Sequence, residues 1–404
     1  MINKAYKYRI YPNKKQQEQF AKQFGCSRFV FNYFLKRRVD AYAENGKSLS
    51  FFDLIPELTA LKKQPETLWL KEVNSQALQV SLKNLDIAYN NFFNRRSKFP
   101  SFKKKSNTQS FQVPQHFSIN ENAIGNKKLT IPKMAPIKLV LHREMEGKAK
   151  SITISRNPAG QYFASVLCEV ADPNPEFIGN EIGIDLGLTS FLITSNSEKV
   201  NPGNHYRKAE KKLAKLQRRL AKKKKGSKNK EKTRIKVARH HQKTANQRAD
   251  FLNRLSYRLV HENQMIHRED LAVKNMVKNH HLAKSISDAG WGEFTRQLDY
   301  KGKWYGCYSN VIDRWFPSSK RCNKCGFILG KLSLKIRNWT CPDCGAVHDR
   351  DINASINILV FGRAGVARSS ASAQKACGDN VSLINLLVVE QLSLKQEASS
   401  FRAE

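Results

Sequence analysis

Two Cys-x-x-Cys pairs, Cys322 with Cys325 and Cys341 with Cys344, are separated by fifteen residues, and nothing else in the 404-residue chain restricts its folding so tightly. Two thiolates carried on one tight turn reach the same ion, and Gly326 and Gly345 follow each pair where such a knuckle needs positive φ. Two knuckles complete a tetrahedral shell, so the spacing predicts one structural Zn²⁺ with no coordination position left for a substrate. Four buried free cysteines would not need this arrangement. Cys26, Cys168, Cys307 and Cys377 stand singly and read as packing residues in a reducing compartment.

The charge balance constrains the partner. Lys and Arg number 71 against 34 Asp and Glu, a formal charge of +37. Such a chain repels itself until a polyanion neutralises it, while 40% hydrophobic and 10% aromatic residues are too many for a disordered basic tail. Nucleic acid is the expected partner. The excess peaks between Arg207 and Arg248, with 19 Lys or Arg and only Glu210 and Glu231 as acids. Leu213, Leu216 and Leu220 keep a helical stripe there, which predicts a helical hairpin broken near Gly226. Lys222 and Lys223 are its candidate phosphate contacts, the competing readings being a solvated face or a localisation signal. No stretch approaches the roughly 18–20 apolar residues that span a bilayer, and MINKAYKYRIYP lacks the apolar run of a secretory signal. The expectation is a soluble, cytoplasmic, nucleoid-associated chain with no membrane partner, and its length predicts two or three domains.

Along the chain, Tyr6–Tyr11 alternates like a strand and stops at Pro12. Phe20, Phe24, Phe31, Phe34 and Leu35, then Leu78, Leu82, Leu85, Ala88, Tyr89 and Phe92, recur at helical spacing, so residues 13–105 read as mainly helical. Within them Gln76, Gln79 and Lys83 have the spacing and chemistry to read bases in a groove, with a solvated helix face as the alternative. The basic loop 97–110 offers Lys103 and Lys104 to phosphates. Strand signals at 129, 137, 151 and 161, joined to the first strand, predict a small β-barrel into which the helical unit is inserted. An apolar strand, EIGIDLGLTS, opens the second half and QMIHRED is another. Ser287–Trp291 reads either as a lid or as a Gly-Trp turn packed on the core. Beyond Gly362 the Ala, Ser and Gly content predicts a disordered tail.

Three acids carry the chemistry: Asp185 in GIDLG, Glu269 in HRED and Asp351 in DRDINAS. Hydrolysis of a phosphodiester assisted by two divalent ions needs hard oxygen ligands converging from separate segments, one of them able to bridge both metals. Each acid alone would read as a turn or capping residue, and Asp270 and Asp349 compete with their neighbours for the role.

GIDLGLTSF, EDLAVKNM, WFPSSKRCNKCG and CPDCGAVHDRDINASINIL together resemble the transposon-associated TnpB family of RNA-guided DNA endonucleases, relatives of the type V CRISPR effectors. YRIYPNKKQQEQF, GCSRFVFNYFL, YNNFF, FPSFKKK and DAGWGEFTRQLDYKGKWYG extend the resemblance over most of residues 1–362. It implies an α/β RuvC/ribonuclease H-like nuclease domain with an inserted zinc ribbon, plus an N-terminal β-barrel with a helical insertion. The matching domains are a wedge-like barrel at 1–12 and 106–176, a helical recognition insertion at 13–105, the nuclease at 177–316 and 346–362, a ribbon binding target nucleic acid at 317–345, and a tail at 363–404. It further implies that Asp185, Glu269 and Asp351, chosen over Asp349, hold two catalytic Mg²⁺ and that guide RNA and target double-stranded DNA are the partners. Cutting is then expected beside a short DNA motif in a prokaryotic cell. A monomer is favoured. The strand before the second acid departs from the family's apolar pattern at His267 and Arg268, and alternation puts His267 on the face of Glu269. The alternatives are a nuclease-inactive RNA-guided binding protein, as a repressor or inert transposon copy, and a DDE-type transposase working without a guide.

Overall fold

A computed structural model describes residues 1–106, 108–121, 127–172, 179–333 and 335–376. Met1–Asp172 together with Leu216–Arg239 forms one compact unit, and the rest of the described chain forms the second.

The first unit begins with β1 (Ile2–Tyr11), whose alternation buries Tyr6, Tyr8 and Ile10 on one face. Asn13 then caps α1 (Lys14–Asn45) in a capping box with Gln16, and Gly46 ends the helix in the left-handed region. α2 (Phe51–Leu61), a 3₁₀ turn (Pro65–Glu72) and α3 (Ser75–Phe93) complete a helical core around Val30, Phe34, Leu54, Leu78 and Leu82. Six strands follow: β2 (Gln109–Val113), β3 (Ser118–Glu121), β4 (Lys127–Thr130), β5 (Ile137–Val140), β6 (Lys148–Arg156) and β7 (Tyr162–Val170). With β1 they make one antiparallel sheet in the order β2-β6-β7-β1-β5-β4-β3.

The expected barrel is therefore corrected to a half-barrel, since among the described residues its end strands β2 and β3 each have a single neighbour. The reason lies in α1. Phe20 and Phe24 pack against Phe111 and Tyr162, with ring centroids 5.4–6.0 Å apart, and so cover apolar surface that barrel closure would otherwise bury. Residues 216–239 also group with this unit, where Arg234 Nη1 donates to the Pro158 carbonyl at 3.5 Å.

The second unit is built on β8 (Glu181–Asp185), β9 (Leu192–Thr194) and β10 (Lys199–Val200), followed by α4 (His205–Ala221) and α5 (Lys228–Glu262), whose facing ends and the turn at Gly226, with φ of 82°, belong to the first unit. Next come β11 (Met265–Glu269), α6 (Val273–Met276), α7 (His280–Ala289), α8 (Trp291–Tyr305), β12 (Tyr308–Ile312), β13 (Asn338–Thr340), β14 (Val347–Asp349) and α9 (Arg350–Ala376). The sheet order is β10-β9-β8-β11-β12, antiparallel through β8 and parallel from β8 to β12. Ile182, Ile184 and Ile266 pack with Leu252, Leu255 and Leu259 of α5 and Phe294 and Leu298 of α8. Trp291, 2% exposed, belongs to that core, so the Gly-Trp segment is a packed turn at Gly290.

The opposite sheet face receives α9 at unusually close range. A Cβ on Gly183 would stand 2.2 Å from the Ser355 carbonyl oxygen and 2.7 Å from the Leu359 nitrogen, so only glycine lets the helix lie there. Gly183→Ala is expected to destabilise the protein by about 2–3 kcal/mol, read as a lowered denaturant midpoint; an unchanged midpoint would mean that α9 can move away freely. α9 also runs past Gly362 to Ala376, where the alanines after Gly362 favour helix. Residues 377–404 of the expected tail, Cys377 included, lie outside the described residues. Among those described, no helix is long and apolar enough to cross a membrane.

Candidate active site and metal centre

Strand register brings the first two acids together. β8 and β11 run parallel with Arg268 opposite Ile184, so the next residues, Asp185 and Glu269, leave neighbouring strands side by side at their carboxyl ends. Neighbouring strands lie about 4.8 Å apart. The third acid comes from α9. Asp349 Oδ1 accepts the backbone N–H groups of Asp351 and Ile352, both at 3.1 Å, and so caps the helix, while its other oxygen binds Lys199 Nζ at 2.6 Å. Asp349 is thus occupied with structure, and Asp351 in the first turn is the acid turned to its fellows. Asp270 is likewise occupied, paired with the Arg314 guanidinium.

The electrostatics record the convergence. Half-buried Asp185 is pushed up to about 7 by burial first, then by the charges of Glu269 and Asp351, against an opposing pull from Arg350. Burial also raises Glu269, although the Ser318 hydroxyl, donating to its Oε1 at 2.5 Å, works the other way. Arg337 Nη1 stands 3.3 Å from both oxygens of Asp351. The charges of Glu269 and Asp351 thus both reach Asp185, and the three carboxylates carry the hard oxygens that Mg²⁺ takes, although among the described residues only the four cysteines bring three or more ligand atoms within 4.8 Å of one another.

The unusual strand residues have partners. His267 is fully buried, with Nε2 3.3 Å from Glu181 Oε2 and Nδ1 3.1 Å from Asn310 Nδ2. Arg363 of α9 also donates to Glu181, at 2.7 Å. Arg268 donates to Ser309 at 3.0 Å and Asp299 at 2.8 Å. Neither residue leaves an unpaired charge beside the acids.

The four cysteines close into one cluster, their sulfurs all within 4.8 Å of one another. Each knuckle is tied by its own backbone: Gly326 N–H donates to the Cys322 carbonyl at 3.0 Å and Gly345 N–H to that of Cys341 at 2.9 Å, with φ of 83° and 70° at the two glycines. Four thiolates 2.3 Å from one zinc sit about 3.8 Å apart, and the Cys322–Cys344 and Cys325–Cys341 separations are 3.7 and 3.6 Å. The donor set fits zinc. Burial pushes the Cys322 thiol up, but the amides of Cys325 and Lys324 and the His348 ring outweigh it and hold the group down at about 6. His348, whose Nε2 lies 3.0 Å from Cys322 Sγ, stacks beside Trp339.

Hydrogen bonds join this cluster to the acids. Asn353 and Asn357, both buried on α9, donate to the Arg321 carbonyl at 2.7 and 2.6 Å, and Asn357 also to that of Ser318 at 2.8 Å. Ser318 in turn holds Glu269. Of these supports, the sequence had signalled only the nearness of the ribbon to Asp351. The i,i+4 pair Asn353/Asn357 and the Asp349 cap are legible as patterns, whereas Ser318, Arg337 and His348 carry no sequence signal.

The expected nucleic-acid contacts all lie in the first unit. Gln79 and Lys83 are exposed on α3, and Gln76 is half-buried with an Oε1 that has no partner. Lys222 and Lys223 are exposed between α4 and α5, as is Lys104 in its loop. Lys103 differs: its ammonium sits 3.8 Å from the Phe31 ring centroid and its backbone N–H donates to Asn32 at 2.8 Å, so packing already engages it.

Comparison with known proteins places these features in context. A family profile described as "Probable transposase" matches residues 165–280, and one described as "Cas12f1-like, TNB domain" matches residues 291–358. A "Helix-turn-helix domain" profile matches residues 1–47, which here fold as β1 and α1. A Streptomyces pristinaespiralis protein named "Putative RNA-guided DNA endonuclease" is 43% identical over 386 residues, covering 94% of this chain and 92% of its own. An Escherichia coli K12 protein, "Putative RNA-guided DNA endonuclease InsQ", is 32% identical over 379 residues, covering 90% and 93%. Among solved structures, the Cas12f1–sgRNA–target DNA complex shares the fold with a TM-score of 0.51 at 14% identity, over 88% of this chain and 98% of that one.

Proposed function

The chain belongs to the TnpB family of RNA-guided DNA endonucleases, and from that membership we propose that it cuts DNA paired with its guide RNA, by Mg²⁺-dependent phosphodiester hydrolysis beside a short flanking motif. One observation carries the proposal: Asp185, Glu269 and Asp351, distant in sequence, converge closely enough for two of them to raise the third. The mixed sheet with two of the acids at the carboxyl ends of parallel strands and the third on a helix packed against it is the arrangement expected of a RuvC-like ribonuclease H fold.

Asp185, whose carboxyl feels the charges of both other acids, would be the ligand common to two Mg²⁺ ions. Glu269, steadied by Ser318, and Asp351, presented by the capped end of α9, would hold the ions with it. When bound, two Mg²⁺ lower the pKa of the attacking water and neutralise the leaving oxygen. Arg337, facing Asp351 and exposed beside it, is placed to meet a scissile phosphate. The cysteine cluster holds one structural zinc that fixes the segment preceding α9. Guide pairing supplies sequence choice, the exposed cations Lys104, Lys222 and Lys223 hold backbones, and Gln76, Gln79 and Lys83 read the flanking motif. His267 and Arg268, which depart from the family's apolar strand, both have hydrogen-bond partners, and that favours the active reading over the inactive one.

The test is to purify the protein with its bound RNA, sequence that RNA and challenge a plasmid carrying the matching target. Cutting that requires both the match and Mg²⁺, and stops with EDTA, is the expected result. An intact plasmid despite a verified guide would instead favour an RNA-guided repressor.

A further inference from the structure

The loop between β12 and the first knuckle is fastened to the end of β11 at two points. Arg314 pairs with Asp270, and Ser318 holds Glu269 at 2.5 Å. Between the two fastenings Trp315 is 85% exposed, whereas Trp291 and Trp339 are 2% and 7% exposed. The exposure does not come from a loose backbone. Trp315 N–H donates to Asp313 Oδ1 at 2.7 Å, Phe316 N–H to the Asp313 carbonyl at 3.3 Å, and Ser318 N–H to the Phe316 carbonyl at 2.8 Å. The neighbouring Phe316 turns inward and stacks on Phe361 of α9, with centroids 4.0 Å apart and planes 21° apart. One ring of the pair anchors the loop and the other is held out in water.

A loop fastened in that way holds the indole's point of attachment in place, so little backbone entropy is left to lose when a flat ligand lies on the ring, and the surroundings select that ligand. Lys320 and Arg321 follow it in sequence, Arg314 is paired with Asp270, and Asp313 turns its carboxylate back to the loop's own backbone. Three residues of chain, at most roughly 11 Å, separate Trp315 from Ser318, whose hydroxyl holds Glu269. That reach spans about three stacked bases at 3.4 Å each. Cations, a flat apolar face and nearness to hydrolytic carboxylates together fit an unpaired base better than an apolar protein partner.

We propose that Trp315 is a base-stacking subsite for an unpaired nucleotide of the DNA strand entering the acid centre, one to three nucleotides from the bond that is cut. The inference rests on the nuclease reading above and refines it. A positioned base holds the neighbouring phosphate in line with Asp185, Glu269 and Asp351, so the subsite acts on binding of the strand more than on the chemical step.

Two readouts test it on the full-length protein with its co-purified RNA. Trp315→Ala is expected to raise the KM for cutting a matched target roughly ten-fold or more, with kcat within about three-fold, and Trp315→Phe to restore most of the loss. In an Asp185→Ala background, a single-stranded oligodeoxythymidine quenches tryptophan fluorescence, and Trp315→Phe removes most of that quench. Cutting by Trp315→Ala within two-fold of the parent, or an oligonucleotide quench that survives Trp315→Phe, overturns the proposal while leaving the nuclease reading intact. A parent that quenches but never cuts defeats the nuclease reading instead, and with it the placement of the subsite. Conversion of a dimer to a monomer by Trp315→Ala, with no quench in the parent, would assign the indole to a second copy of this chain and also overturn the proposal.

Discussion

Replacing Asp185 with Asn abolishes DNA cutting, by about a thousand-fold or more, and at the same time stabilises the metal-free protein at neutral pH. The two effects have opposite signs for one reason. Burial and the charges of Glu269 and Asp351 raise the folded-state Asp185 to about 7, above its ordinary 3.8. The folded chain therefore binds a proton more tightly than the unfolded chain between those values. Stability falls as pH rises from about 4 to about 7 and stays low above that. At about 1.4 kcal/mol per pH unit the penalty reaches about 4 kcal/mol, and a neutral amide of the same shape does not incur it. Urea unfolding of the metal-free protein at pH 5 and pH 8 should show the parent losing stability between them and Asp185→Asn losing much less. Millimolar Mg²⁺ at pH 8 should raise the parent's midpoint by mass action and leave the variant unmoved. RNA binding stays near the parental level in both. A variant that cuts normally, or one less stable than the parent at pH 8, would remove Asp185 from the centre of the acid cluster.

Replacing Cys341 with Ser takes zinc content from one per chain to nearly none and lowers cutting by a hundred-fold or more, although no cysteine touches an acid. The ribbon's fold has little else to hold it: its core is Trp339 with the cysteines and a few half-buried neighbours. Metal binding by such sites is worth on the order of 10 kcal/mol, which is folding energy. Once the knuckles open, the Arg321 and Ser318 carbonyls no longer meet Asn353 and Asn357, and Ser318 no longer holds Glu269. Two of the three acids lose a support. Asn357→Ala separates this coupling from general unfolding, since it leaves the cysteines in place: zinc stays bound and cutting still falls, by about ten-fold. Zinc-free protein that cuts at the parental rate would show the ribbon and the acids to be independent. Zinc by atomic absorption, measured beside cutting and RNA binding, decides between them.

How much of this was legible in the sequence depends on the range over which each feature is determined. Tyr6, Tyr8 and Ile10 announce a strand because alternation is local, and the Cys-x-x-Cys-Gly knuckles announce a metal because two ligands and their turn lie within five residues. The helical hairpin around Gly226 was readable for the same reason. The half-barrel was not, since whether a sheet closes depends on what fills its concave face, and Phe20 and Phe24 of α1 fill it from outside the strands. Choosing Asp351 over Asp349 by spacing alone was impossible. The resemblance made that choice, and the helix start supplies its physical reason, since Asp349 is used up on two N–H groups and Lys199. Arg268 looked unfavourable in a strand because its partners, Ser309 and Asp299, come from residues some forty and thirty positions later. Gly183 read only as part of a motif; the approach of α9 to 2.2 Å from its missing Cβ gives the physical reason.

Diffraction from crystals of the protein soaked in Mn²⁺, with anomalous difference density collected at the manganese edge, tests the acid cluster most directly. Two peaks, both touching Asp185, one shared with Glu269 and the other with Asp351, are the predicted result. Manganese bound elsewhere, or at one acid without the others while Asp185→Asn crystals keep the same peak, would contradict it.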